Sequence, residues 1–168
     1  MIRKINGITY NPPADYGDTT TTSVGTTETI LNSVVVPGNT FGRGDIVGVQ
    51  TRIRKTTTNS TINLRLRIGT TLNTSQTQVG IFTSASSAHS YIPFDRRLSI
   101  QSQTTDTRVL VSTTSYVSDY GGAFPSDMSS LSIDWTVDNY IIITGQTTTS
   151  TDTLNCGYIY LDLIQPDA

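Results

Sequence analysis

Between Ile46 and Ile68 apolar and polar side chains alternate on both sides of a polar interruption. From Ile46 to Lys55, Val47, Val49, Thr51 and Ile53 share one face, and Gln50, Arg52 and Arg54 take the other. After Lys55-Thr-Thr-Thr-Asn-Ser60, the residues Ile62, Leu64, Leu66 and Ile68 alternate with Asn63, Arg65 and Arg67. A period of two belongs to a strand and is incompatible with a helix. Folding the two runs about the polar loop sets Ile53 opposite Ile62 and Val49 opposite Leu66. The parity agrees, so the spacing predicts a β-hairpin with one buried face.

Composition carries the same conclusion along the chain. Thr, Ile and Val number 31, 17 and 11, and these β-branched types are stiff at χ1 and favour strands. Helix formers are scarce, with one Glu, two Lys, two Met and five Ala in 168 residues. A helical protein is excluded. Further strands are predicted over Glu28 to Val36, Gln78 to Thr83, Ser90 to Gln103 (interrupted at Pro93), Arg108 to Thr114, Leu131 to Trp135, Tyr140 to Gly145 and Leu154 to Gln165. With polar turns such as Pro37-Gly38-Asn39 between them, this is the pattern of an all-β, jelly-roll-like two-sheet β-sandwich. Uneven strand lengths disfavour a closed barrel, and no fixed-period repeat points to a propeller or solenoid.

Residues 1–25 read differently. Asn11-Pro-Pro-Ala-Asp-Tyr-Gly-Asp and the tract Thr19 to Ser23 carry no periodicity, so they predict an extended arm ahead of a domain spanning 26–168. Ile2, Ile5, Ile8 and Tyr10 are apolar without enough neighbours for a core, which makes them docking candidates. The opening residues have a basic pair but no apolar run after it, so no signal peptide is expected. Nor does any stretch of 18 apolar residues offer membrane insertion. A net charge of −2 gives no field for nucleic acid. Cys156 stands alone, which removes an internal disulfide and suits folding in the cytoplasm.

Acid–base chemistry has little to work with. His89 is the sole histidine, in a Ser-rich loop, and no nucleophile elbow accompanies it. Asp134 and Asp138 flank Trp135 in a way that superficially suits a sugar site, but a Trp on a strand is far more often core packing. Asp15 with Asp18, or Asp119 with Asp127, lack any cation-loop spacing. Arg43-Gly44-Asp45 spells an adhesion tripeptide at a position where a turn is expected. No enzyme, metal or cofactor is expected. Arg52, Arg54, Arg65 and Arg67 would all project from the outer face of the hairpin, as a solvated face or a subunit contact.

Two segments are apolar on both faces. Tyr140-Ile-Ile-Ile143 has no polar side, and Tyr158 and Tyr160 lie opposite Ile159, Leu161 and Leu163. The second face needs a cover. Oligomerisation would supply it through Tyr140, Ile142, Tyr158 and Tyr160, and a loop crossing the sheet is the alternative. The long connection Thr114 to Ser130 carries Tyr116, Tyr120 and Phe124, which could stack on a sugar or enter a partner.

The run Thr27-Glu-Thr-Ile-Leu-Asn-Ser-Val-Val-Val-Pro-Gly-Asn-Thr-Phe-Gly-Arg-Gly-Asp-Ile-Val, followed by Asn63-Leu-Arg-Leu-Arg-Ile-Gly-Thr, resembles the jelly-roll virion domains of tailed bacteriophages. Head fibres, decoration proteins and tail-fibre tips carry such domains. The resemblance implies a non-enzymatic homotrimer in the virion, assembled in the host cytoplasm and docked to capsid or fibre-base proteins by a short N-terminal arm. A head decoration or head-fibre subunit is the leading expectation. The alternative is a receptor- or carbohydrate-binding tail-fibre tip, whose partner would be a host-surface glycan.

Overall fold

The computed structural model describes residues 22–23, 25–56, 61–84, 91–110, 128–148 and 153–164. Among them are ten strands: β1 (Thr22–Ser23), β2 (Thr29–Val36), β3 (Ile46–Thr56), β4 (Ile62–Gly69), β5 (Thr77–Ser84), β6 (Tyr91–Ser102), β7 (Asp106–Leu110), β8 (Met128–Leu131), β9 (Asn139–Thr147) and β10 (Thr153–Ile164). They form a six-stranded sheet, β1-β10-β3-β6-β7-β8, packed on a four-stranded sheet, β2-β9-β4-β5. Every pairing is antiparallel. With the β7–β8 hairpin set aside, β1-β10-β3-β6 facing β2-β9-β4-β5 is jelly-roll order, in which the chain repeatedly changes sheets. The protein is thus a two-sheet β-sandwich.

The expected Ile46–Ile68 hairpin does not form. β3 lies between β10 and β6, whereas β4 lies between β9 and β5 in the opposite sheet. The parity itself holds: Val47, Val49 and Ile53 on β3 and Ile62, Leu64, Leu66 and Ile68 on β4 all enter the core. Alternation fixes which face is buried and leaves the choice of sheet open. What decides it is competition, because β10 and β6 take both edges of β3 and leave none for β4. One correction follows at once. Arg52 and Arg54 point out of the six-stranded sheet and Arg65 and Arg67 out of the other, so the four arginines do not share a face.

Other boundaries moved for local reasons. Trp135 sits in the turn between β8 and β9, and the strand expected up to it ends at Leu131. Its ring is 1% exposed, edge-on to Phe41 with 5.2 Å between centroids, and its Nε1 donates to Thr107 Oγ1 at 2.9 Å. Pro93 lies inside β6 without breaking it. Among the described residues β7 flanks β6 only from Leu98 onward, so Pro93 has a neighbouring strand on one side alone, where proline is tolerated. Thr22 and Ser23 pair with Leu154 and Thr153, so the sheet takes in two residues ahead of the boundary expected at 26. Residues 1–21 of the expected arm, with Ile2, Ile5, Ile8 and Tyr10, and residue 24 lie outside the described residues.

Candidate functional site

The outer face of the four-stranded sheet holds the densest polar cluster. Odd-numbered residues of β4 point outward because the even-numbered ones fill the core. Arg65 and Arg67 therefore emerge side by side, opposite Thr144 and Ile142 of β9. Glu28, the only glutamate of the chain, enters from the segment before β2. Arg67 grips it with two parallel bonds, Nε to Oε1 at 2.6 Å and Nη2 to Oε2 at 2.9 Å, and Arg65 Nη1 stands 3.3 Å from Oε2. Thr144 Oγ1 donates to Oε1, and Arg67 Nη1 donates to the Gln76 carbonyl at 2.8 Å. Burial pushes the Glu28 carboxyl up, but the bonds from Arg67 and Thr144 and the charges of both arginines outweigh it, leaving the pKa below its usual range.

This cluster answers one expectation about apolar faces. Ile142 is fully buried within the single chain, flanked in register by Arg67 and Ser33. The stems of long cationic side chains cover apolar surface while their heads stay polar. The second face of β9 is therefore covered by its own chain at Ile142, which is not presented to a second copy. Tyr140, next along that face, is half-buried beside the exposed Val35. Tyr160 belongs to the opposite side of the molecule. It is 44% exposed on the six-stranded sheet, in register with Gln50 on the face of β3 that also carries exposed Arg52 and Arg54. Tyr158 is half-buried in the bulge of β10 between Cys156 and Ile159. The four interface candidates are thus divided between the two outer faces.

The Asp candidates within the described residues serve turns. Asp134 Oδ1 accepts from the Thr136 hydroxyl and backbone N–H, which lower its pKa, and Asp138 Oδ1 accepts from Gly38 N at 2.8 Å. Trp135 between them is core, so no sugar site forms there. Asp45 is buried, with Oδ2 accepting from Gly42 N at 2.7 Å, while Gly44 adopts φ +92°. That turn hides the third residue of the Arg43-Gly44-Asp45 tripeptide and removes it as an adhesion motif. Asp106 is held low by bonds from Ser130 and Arg108. Among the described residues no three His, Cys, Asp or Glu side chains meet to hold a metal ion.

Two features escaped sequence reasoning. Arg96 lies inside the sandwich, 1% exposed, on the same face of β6 as Ile92, Phe94, Leu98 and Ile100. Its Nη2 donates to the Ile81 carbonyl at 2.6 Å, its guanidinium stands 5.3 Å from the Phe94 ring centre, and Gly80 leaves the room it needs. Its parity was visible in the alternation of β6. Glu28 was visible as the lone glutamate, but nothing in the sequence tied it to Arg65 and Arg67. His89, Asp15, Asp18, Asp119, Asp127, Tyr116, Tyr120 and Phe124 lie outside the described residues. Compared with known protein families, curated proteins and solved structures, the chain matches none.

Proposed function

We propose that this protein is a non-enzymatic structural component of a bacteriophage virion, a head decoration or head-fibre subunit assembled in the host cytoplasm. The observation that carries the reading is the jelly-roll strand order, an architecture widely used by viral capsid domains. The fold alone supports an analogy, since one fold serves many functions. The site chemistry is in keeping with it. Among the described residues, the acidic groups whose pKa values shift, Glu28, Asp106 and Asp134, are all lowered by structural partners.

A homotrimer belongs to the same proposal. In a three-fold ring each contact joins two different surfaces, whereas a two-fold dimer repeats one surface, so candidates divided between two faces suit a head-to-tail contact whose rotation closes. Tyr160 and Tyr140 occupy such opposite faces. Exposed Tyr and Arg are residue types enriched at interface centres. Residues 1–25 then attach each copy to the capsid or fibre base.

The test is made on particles of a phage carrying this gene. The chain should be found in purified particles, and deletion of residues 1–25 should leave a folded protein that no longer joins them. Absence of the full-length chain from particles overturns the reading. Binding of the isolated protein to host cells or their glycans, with none to particles, would place it at a tail tip.

A further inference from the structure

We infer that residues 25–28 form a strap latched by charge: Glu28, clamped on Arg65 and Arg67, holds β1 against the edge of β10, and opening the clamp frees β1 without unfolding the sandwich. The inference concerns the chain by itself and stands apart from the virion reading.

The geometry of the crossing supports it. β1 belongs to the six-stranded sheet and β2 to the four-stranded one, so the connection between them passes over one end of the sandwich. Among the described residues, two of β1 pair with β10, at Leu154 and Thr153. Two pairs do not make a stable strand, so β1 depends on what holds the connection beside it. Beside the Glu28 clamp on β4, the fixings of that connection run to β9. Thr147 N donates to the Gly25 carbonyl at 3.1 Å, and Gln146 Nε2 donates to the Thr26 carbonyl at 2.5 Å. Thr26 and Thr27 are exposed and bring no apolar anchor of their own.

The charges tie these contacts into one network. Arg65 Nη1 reaches Glu28 Oε2 and also donates to Gln146 Oε1 at 3.4 Å, so the side chain that binds Thr26 is itself positioned by the clamp. Arg67 joins Glu28 to the β4–β5 turn through the Gln76 carbonyl. Arg65 and Arg67 are the charged groups paired with Glu28, and Thr144 adds the remaining hydrogen bond. Removing one carboxylate charge therefore loosens the Glu28 contacts and, through Arg65 and Gln146, the Thr26 contact, and the Gly25 carbonyl on Thr147 N is left as the remaining fixing of the strap. The core below rests on other packing, as Leu31 and Leu154 close over Gly145 and the β4–β9 ladder continues to Gly69. A small unit with few apolar contacts opens at much lower cost than the whole domain.

The experiment is amide hydrogen exchange on the full chain and on Glu28→Gln. Exchange at the Thr147 amide should accelerate at least about tenfold in the variant, while the Ile141 and Ile143 amides keep their rates. An unchanged Thr147 rate overturns the latch, and equal acceleration at Ile141 and Ile143 shows that the clamp holds the sandwich and not a strap. Arg65→Gln supplies a second readout. Glu28 is the only glutamate, so a glutamate-specific protease has one bond to cut, Glu28–Thr29. Cleavage should be faster in Arg65→Gln than in the unaltered chain, and equal rates count against the proposal.

Discussion

Asn32 donates its side-chain amide to the carbonyl of Cys156 at 3.1 Å and so joins a bulge in β2 to a bulge in β10. The two strands belong to different sheets and lie on the same side of the sandwich. Each bulge interrupts its ladder and leaves a backbone group to be satisfied elsewhere. Asn32 does this across the gap and turns its Oδ1 to the Ser33 N–H at 2.8 Å.

Asn32→Ala should therefore destabilise the fold by about 1–2 kcal/mol, the usual cost of leaving a partly buried carbonyl without its donor. Urea unfolding should show a lower midpoint with an unchanged slope. A midpoint equal to that of the unaltered chain would mean that solvent satisfies the Cys156 carbonyl as well as Asn32 does.

Cys156 itself should be inert. Burial pushes its thiol up to about 11, against which the bonds to Thr51, Asn32 and Tyr158 act only weakly. At about pH 8 only one thiol in about a thousand is then a thiolate, so labelling of the native chain by a disulfide reagent should wait on unfolding. The sign for stability follows. The unfolded thiol ionises near its ordinary value of 9.0 and the folded one near 11, so this group's contribution is complete below the first value and is lost as pH rises toward the second. Cys156→Ser should flatten that alkaline limb of the stability profile. Rapid labelling in native buffer would refute the burial argument.

Glu28 should act at the other end of the pH scale. Its folded pKa is lowered, so its contribution is complete above the ordinary carboxylate value and is lost as pH falls through the lowered one. The stability gap between the unaltered chain and Glu28→Gln should be fully open at about pH 7 and shrink progressively as pH falls below the ordinary carboxylate value. Urea midpoints across that range measure it. A gap that persists unchanged in acid would assign the effect to shape and not to charge.

How far the sequence carried these conclusions depends on which physical signal was needed. Period-two alternation placed Val47, Ile53 and Leu64 in the core because burial depends on parity alone. The same signal failed for the partner of β3. Pairing between Ile53 and Ile62 and packing of the two across the core give identical patterns, and only the competing edges of β6 and β10 separate them. Ile142 shows a third case. Its run of isoleucines demanded a cover, and Ile142 is buried within the single chain beside Arg67 and Ser33 of strands distant in sequence, a pairing that leaves no local trace. Trp135 was correctly expected in the core, but it arrives there from a turn, where no periodicity announces it.

The proposed ring makes a prediction about its two faces. Tyr160→Ala and Tyr140→Ala alter opposite sides of the sandwich, and in a ring each single change damages every contact. Both variants should shift the oligomer toward monomer in light scattering, with the sandwich intact by circular dichroism. An unaltered chain that is already monomeric at micromolar concentration defeats the trimer outright.

The turn that carries Trp135 offers the most exacting check on packing. Gly38 has an ordinary negative-side conformation, so its need for glycine comes from crowding alone. A Cβ there would stand 2.4 Å from the Thr136 carbonyl oxygen and 2.9 Å from its carbon, both backbone atoms that cannot swing away. Those atoms are held in turn, since Asn39 N donates to the Trp135 carbonyl at 2.7 Å and Gly38 N to Asp138 Oδ1. Gly38→Ala must therefore push the two turns apart and drag the Trp135 ring from its place against Phe41 and Thr107. A loss above about 2 kcal/mol is expected, in the range of core disruption. Gly44→Ala is the control. It too is costly, because φ there is +92°, but nothing lies within 4 Å of the added carbon. Its loss should stay near about 1 kcal/mol. Trp135 is the single tryptophan, so its emission reports on this site without ambiguity. The spectrum should shift to the red in native Gly38→Ala and remain in place in Gly44→Ala. Identical spectra and equal losses in the two variants would show that the turns are not packed as described.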